Sequence, residues 1–585
     1  MGIGSDEQFD GSPQAQELPG LTHPAEPRPQ ISVRSTKLFG GRMNRPWLKH
    51  YEPHVPRAIR YPEIPVSRWL LDTAANHRDH VAITFNETHF TYGEMNDRVN
   101  RFANALLKMG VVKGDRIALF LVNSPTYVFA FFAAMKLGAV VVNLSVGIFG
   151  EELTRCLNES GAKVIVTLDL FAQGIYQVIK KTGLRAVILH SVYGIEKRMT
   201  FEEGVVEPLI YQELTSSADA AEPGEQVLPH DVAVLQYTSG STGSPKAATL
   251  THSNLVSSVL QGDAWMGVKD KDNPAVMCVI PFFHVFGMSA CLLSSVLKGY
   301  RMVLLPRMDL MDILSLVKTL ETYRPVSFPA VPSLWAAMLS LPAEEAQKHL
   351  SSVLVPTSGG APLPGWVQEK YVAIAGRKII EAYGLSEASS ATHFCPFPNG
   401  GPPGSIGLPL PDTDAKIMDL EKPGRECLPG EVGELVVKGP QIMQGYWNNP
   451  DLTARALKEG WFYTGDMARM DEDGFFYLVD RKDDLIISSG FNIYPTEVEE
   501  VLKRHPKIKD AGVIGVPDRI KGMAVRAVVT LHEGMKGDKE EFLKYCRENM
   551  PEYRVPKSIL IRGEIPRDPA GKMLRRILRE EAQEA

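Results

Sequence analysis

Between residues 93 and 167 the chain alternates two hydrophobic periods. Asn96–Met109 places apolar residues at helical spacing, and Asp115–Val122 is an apolar run of strand length. Thr126–Leu137 is apolar around its whole circumference, and Ala139–Asn143 is β-branched. Gly150–Ser160 returns to helical spacing and Lys163–Thr167 to a strand. Short strands separated by helices predict a parallel sheet with helices on its faces, an α/β architecture. The strand signal recurs at Val353–Thr357 and Leu435–Lys438, and Asp231–Gln236 reads as a strand entering a loop.

From Asn273 to Leu297 there is no Asp, Glu, Lys or Arg, a run long enough to suggest a membrane span. Pro281, His284 and Gly287 interrupt it. The pattern predicts a strand over Val276–Ile280, a loop over Pro281–Gly287 and a helix over Met288–Leu297, all buried in protein. The polar run Asp480–Asp484 reads as a domain boundary. Beyond it follow a strand (Leu485–Ser488), a helix (Thr496–Arg504), strands at Gly512–Val516 and Val525–Leu531, and a helix at Lys539–Glu548. That is enough chain for a small α+β domain. The expected organisation is a tail and basic arm over 1–45, a large domain over 46–482 and a small one over 483–585.

A chain of 585 residues is too long for one core. Its 44% hydrophobic and 23% charged residues are ordinary for a soluble protein. A net charge of −6 argues against nucleic acid as a partner. The cysteines are scattered with no C-x-x-C pair, which predicts reduced thiols, no zinc site and a cytoplasmic location. The N-terminus is polar, without the apolar core of a secretory signal, and Asp6 breaks the myristoylation pattern. Arg34 to Arg60 holds seven basic residues (Arg and Lys) against one acid, so a solvated arm and a peripheral membrane contact both stay open.

The densest chemistry lies at Tyr237-Thr238-Ser239-Gly240-Ser241-Thr242-Gly243-Ser244-Pro245-Lys246. Glycines let backbone N–H groups face inward around an anion, hydroxyls add donors and a lysine adds a point charge. This predicts a polyphosphate cradle and hence a nucleoside triphosphate. It is not the usual nucleotide-binding loop, because Pro245 precedes Lys246 and Ala247 follows it. Further along stand Ser358-Gly359-Gly360-Ala361-Pro362, Ile379–Glu387, Trp461–Asp466 and Pro566–Arg576, the last read as a loop in a basic tail.

These motifs, in this order from about Trp47 onward, resemble the adenylate-forming superfamily of acyl- and aryl-CoA synthetases, luciferases and peptide-synthetase adenylation domains. The resemblance implies a large N-terminal domain of two α/β sheets plus a distorted barrel, with a small mobile α+β C-terminal lid. It implies ATP, Mg2+ and coenzyme A. Thr238, Ser239, Gly240, Ser241, Thr242, Gly243 and Lys246 would hold phosphates. Gly359, Gly360 and Ala361 would border adenine and the acyl pocket. Tyr383, between Ala382 and Gly384, would pack on adenine, and Glu387 would bind magnesium. Ser386 stands where threonine is usual and keeps the hydroxyl. Asp466 and Arg481 would grip the ribose, and His284 would orient the substrate carboxylate. Lys572 would neutralise the carboxylate and the α-phosphate as they meet. Ser489 and Gly490 would line the pantetheine tunnel after the lid pivots on Asp483.

Trp47–Tyr51, Asp480–Asp484 and Phe491–Pro495 most resemble long-chain fatty acid–CoA ligases. An aryl or medium-chain acid, an acyl-AMP-forming enzyme without CoA transfer, and a homodimer stay open. A peptide-synthetase adenylation domain is disfavoured because no carrier domain follows. An inactive acid-binding protein is disfavoured by Lys572, Asp466 and Glu387.

Overall fold

Helix Pro125–Leu137 buries every residue except its first. A helix apolar on all sides must be covered on all sides. It packs against strands Arg116–Phe120 and Val140–Asn143 of one sheet. Its Phe129 meets Phe90, on the edge of a second sheet, ring to ring at 5.6 Å. Two sheets with helices between them are therefore the frame of the large domain. The computed structural model describes residues 45–190, 206–238, 245–268, 273–305, 313–488, 491–518, 522–567 and 573–584.

Among these residues the first sheet has nine strands. Its six central strands, Ile380–Leu385, Val355–Gly359, Ser327–Ala330, Ala275–Cys278, Arg301–Leu304 and Val81–Phe85, run parallel. The second has eight, with a parallel run from Val232–Thr238 through Val140–Asn143 and Arg116–Phe120 to Pro208–Ile210. The third is a five-stranded antiparallel sheet containing Gly433–Lys438, Trp461–Met470 and Phe476–Arg481. The Leu435–Lys438 run thus lies in an antiparallel sheet, a correction to the parallel expectation. A fully buried strand reads as continuously apolar whichever way its neighbours point.

The charge-free run folds as a strand (Ala275–Cys278), a loop, a π-helix (Met288–Leu293) and a last α-helical turn. No helix among the described residues is long and apolar enough to cross a membrane. Residues 45–61, expected in part as a basic arm, are a strap across the large domain. Arg45 pairs with Asp414 and Lys49 with Asp473, and Trp47 is buried against Phe476. The rest of the tail lies outside the described residues.

Beyond Lys482–Asp484, a second five-stranded sheet and helices Pro495–Lys503 and Lys539–Asn549 enclose their own core. The basic run at the C-terminus is also folded, as helix Arg575–Glu584. Arg575 Nη2 contacts both carboxylate oxygens of buried Glu499 at 2.7 and 2.8 Å, and Arg579 pairs with Asp484. The two parts touch where Thr496 N–H donates to Asp480 Oδ2 at 2.9 Å.

Candidate active site

In parallel sheets, ligands bind outside the carboxyl ends of the strands. Two of the motifs read from the sequence, Ser358–Pro362 and Ile379–Glu387, sit there. Strand Val355–Gly359 delivers Gly359, which pairs with Ala382 of the next strand. Gly360 then turns at φ +88°, and Ala361 follows. Strand Ile380–Leu385 delivers Ala382, Tyr383 and Gly384, and a short 3-10 turn presents Ser386 and Glu387. A Cβ on Gly384 would stand 2.1 Å from the Ser390 carbonyl, so no larger residue fits that bulge.

Asp466 lies within strand Trp461–Met470. Burial alternates strictly from Trp461 to Asp466 and breaks after it, and two register shifts interrupt the strand's pairings. Asp466 Oδ2 accepts from the Tyr383 hydroxyl at 2.6 Å, and its Oδ1 accepts from Arg481 at 2.8 Å. Arg481 is its cross-strand partner. Burial works against the Arg481 charge, but Asp466 and neighbouring oxygens outweigh it and raise its pKa further. Burial, with Asp466 adding to it, also lifts the Tyr383 phenol well above its usual range, so it stays a donor. The Tyr383 ring rests edge-on against His393 at 5.8 Å, and His393 against Phe476 at 4.8 Å. Burial pushes His393 down to about 3, so this support is neutral.

Across from this clamp, Thr238 and Lys246 pair at the strand ends flanking 239–244. Lys246 Nζ stands 5.8 Å from the Tyr446 ring centroid, and the Tyr446 hydroxyl donates to Glu387 Oε1 at 2.8 Å. Met443 N–H donates to the Glu387 carbonyl at 2.8 Å. Tyr446 was missed in the sequence. Its signal was only an aromatic pair beside Gly445 and Asn448, which an ordinary turn also shows. No group of three or more His, Cys, Asp or Glu among the described residues could hold a metal by itself. A single half-buried carboxylate suits Mg2+ that arrives with phosphate oxygens, so Glu387 fits that ion.

His284 caps a helical turn and accepts from Phe286 N–H through Nδ1 at 3.2 Å. That leaves Nε2 as the N–H donor. Asp483 sits in the 3-10 turn Lys482–Asp484 that joins the two parts of the chain. Ser239, Gly240, Ser241, Thr242, Gly243, Ser489, Gly490 and Lys572 lie outside the described residues. The residues flanking each are paired: Thr238 with Lys246, Ser488 with Phe491, and Arg567 with Met573.

The AMP-binding enzyme family matches residues 70–447, and the AMP-binding enzyme C-terminal domain matches 497–572. A long-chain-fatty-acid–CoA ligase of Bacillus subtilis is 38% identical over 92% of this chain and 98% of its own. One from Salmonella typhimurium is 35% identical over 92% and 99%. A feruloyl-CoA synthase of an Amycolatopsis species is 34% identical over 84% and 94%. Among solved structures, ATP-bound MatB from Rhodopseudomonas palustris superposes with a TM-score of 0.79 at 26% identity, covering 89% of this chain and 99% of that one. B. subtilis o-succinylbenzoate CoA synthetase with ATP and magnesium gives 0.73 at 28%, covering 88% and 99%.

Proposed function

The chain belongs to the AMP-binding enzyme family, and from that premise we propose that it is an AMP-forming fatty acid–CoA ligase acting on medium- to long-chain acids. A carboxylate oxygen attacks the α-phosphorus of ATP, giving acyl-AMP and pyrophosphate. The thiol of coenzyme A then attacks the acyl carbon and expels AMP, with its proton lost to solvent.

The observation that carries this reading is the Tyr383–Asp466–Arg481 clamp facing the Lys246–Tyr446–Glu387 group. Asp466 holds two oxygens in fixed directions, the geometry a vicinal diol needs, and Arg481 anchors one of them. Tyr383 offers a ring backed by His393 for adenine. Thr238, Lys246 and residues 239–243 between them take the phosphates. Glu387 would hold Mg2+, which when bound neutralises phosphate charge. His284 donates from Nε2 to the acid. Lys572 brings its ammonium between two anions that repel, which stabilises the charge gathering at phosphorus. No protein nucleophile is needed. Gly490 then replaces Lys572 when the small domain turns about Asp483.

The long-chain assignment follows the names of the bacterial relatives, and the feruloyl-CoA synthase keeps an aryl acid as the second reading. ATP–pyrophosphate exchange driven by acids from benzoate to palmitate tests it, followed by thioester formation with coenzyme A. Palmitate or a shorter fatty acid should give the highest kcat/KM in both. Ferulate or benzoate ahead of all of these would replace the fatty-acid reading, and exchange without any thioester would remove the CoA step.

A further inference from the structure

The phosphate strand and the His284 loop lie on different sheets, yet one buried chain of hydrogen bonds joins them. Gln236 stands two residues before Thr238 on strand Val232–Thr238. Its Nε2 donates to the Phe283 carbonyl at 2.9 Å, next to His284. Its Oε1 accepts from Asn143 Nδ2 at 3.1 Å, on the neighbouring strand. The Tyr127 hydroxyl sits between Asn143 Oδ1 at 2.7 Å and the Phe282 carbonyl at 2.9 Å. Asn123 closes the loop's other side, accepting from Phe282 N–H at 2.8 Å and donating to the Cys278 and Ile280 carbonyls. All four side chains are buried.

A buried polar network with every member satisfied is rigid and specifies one geometry. Here it ties together the two elements that must meet within bond-forming reach, the phosphate hairpin and the acid loop.

We propose that Gln236 is a positioning residue for adenylation: with Asn143 and Tyr127 it locks the phosphate-binding strand to the His284 loop and so sets the carboxylate in line with the α-phosphorus. This rests on the adenylation reading above. Gln236 touches no reactant; it acts through Phe283 and through its own strand. Misplacing reacting atoms by about 1 Å costs on the order of 100-fold in rate. Acyl transfer to coenzyme A uses an adenylate already made, so it escapes that penalty.

The test is Gln236→Met in the full-length chain, which keeps length and volume and removes the amide. Both half-reactions are measured separately. Palmitoyl-AMP formation at saturating ATP and palmitate should slow by about 100-fold, with either KM changing by less than about threefold. Thioester formation from supplied palmitoyl-AMP should stay within about threefold. Tyr127→Phe, which removes one hydroxyl and keeps the ring, should repeat the split at about tenfold and carries the comparison should Gln236→Met not fold. Equal losses in both half-reactions, or a rise in KM with kcat intact, would overturn the positioning role. So would unchanged adenylation. A wild-type chain with no acid-dependent exchange would instead remove the adenylation reading itself.

Discussion

The wall proposed for the nucleotide in the large domain and the ion pairs of the small one hold their polar groups in different ways. In the wall, Tyr383, Asp466, Arg481, Glu387, Tyr446 and Lys246 come from distant strands, and the groups that would meet ATP already grip one another. In the small domain the buried ion pairs Arg575–Glu499 and Arg579–Asp484 serve its own packing, and the positions assigned to chemistry, Gly490 and Lys572, are set next to paired strand ends. The difference suggests a division of labour. On this reading the binding groups are fixed before substrate arrives, while the groups proposed for only one half-reaction belong to the part of the chain that follows Asp483.

Three substitutions test that division. The largest effect is expected from Asp466→Ala, which strands the Tyr383 hydroxyl and the Arg481 guanidinium. Initial-rate kinetics should show KM for ATP rising on the order of 100-fold, and calorimetry a large domain weakened by about 3 kcal/mol with the small domain's transition unmoved. A common loss in both domains would erase the distinction. Arg575→Met should do the converse. It leaves the Glu499 carboxylate buried without its partner, costing the small domain about 3 kcal/mol, while KM for ATP stays put. A raised KM for ATP would show that the lid's ion pairs belong to the binding wall after all.

The smallest effect concerns pH. Burial raises Glu381, on the strand of Tyr383, from 4.5 to about 7. Its folded form therefore holds a proton that the unfolded form releases. The stability this adds is complete below pH 4.5 and is lost as pH rises through 7. Glu381→Gln should therefore gain on the wild type by about 3 kcal/mol between pH 4 and pH 8 in urea titrations. A constant gap across that range would mean Glu381 titrates normally.

Much of this was readable in the sequence, because the period of hydrophobic residues is local. Helix Gly150–Ser160 and the strand–loop–helix reading of the charge-free run follow it closely. The turn at Gly359–Gly360 was legible for the same reason: turns are written in consecutive residues. What stayed hidden depends on pairing across long separations. Tyr446 reaches the site through a two-residue strand against Ala248 and Thr249. Leu435–Lys438 had the composition of a buried strand but not its direction. The strap at Trp47 and the helix at Arg575 looked like solvated basic chain because their acids lie far away at Asp414, Asp473, Glu499 and Asp484. Gln236 gave no sign at all, since a lone amide in a strand declares nothing until its partners are in place.

On the proposed reading, Lys572 supplies charge for the first half-reaction and nothing for the second. Lys572→Ala measures it directly. Palmitate-dependent ATP–pyrophosphate exchange should fall by roughly three powers of ten, while thioester formation from supplied palmitoyl-AMP and coenzyme A stays within a few-fold of wild type. Exchange that persists undiminished, or a thioester step that falls as far as exchange does, would show that Lys572 does not act in adenylation alone.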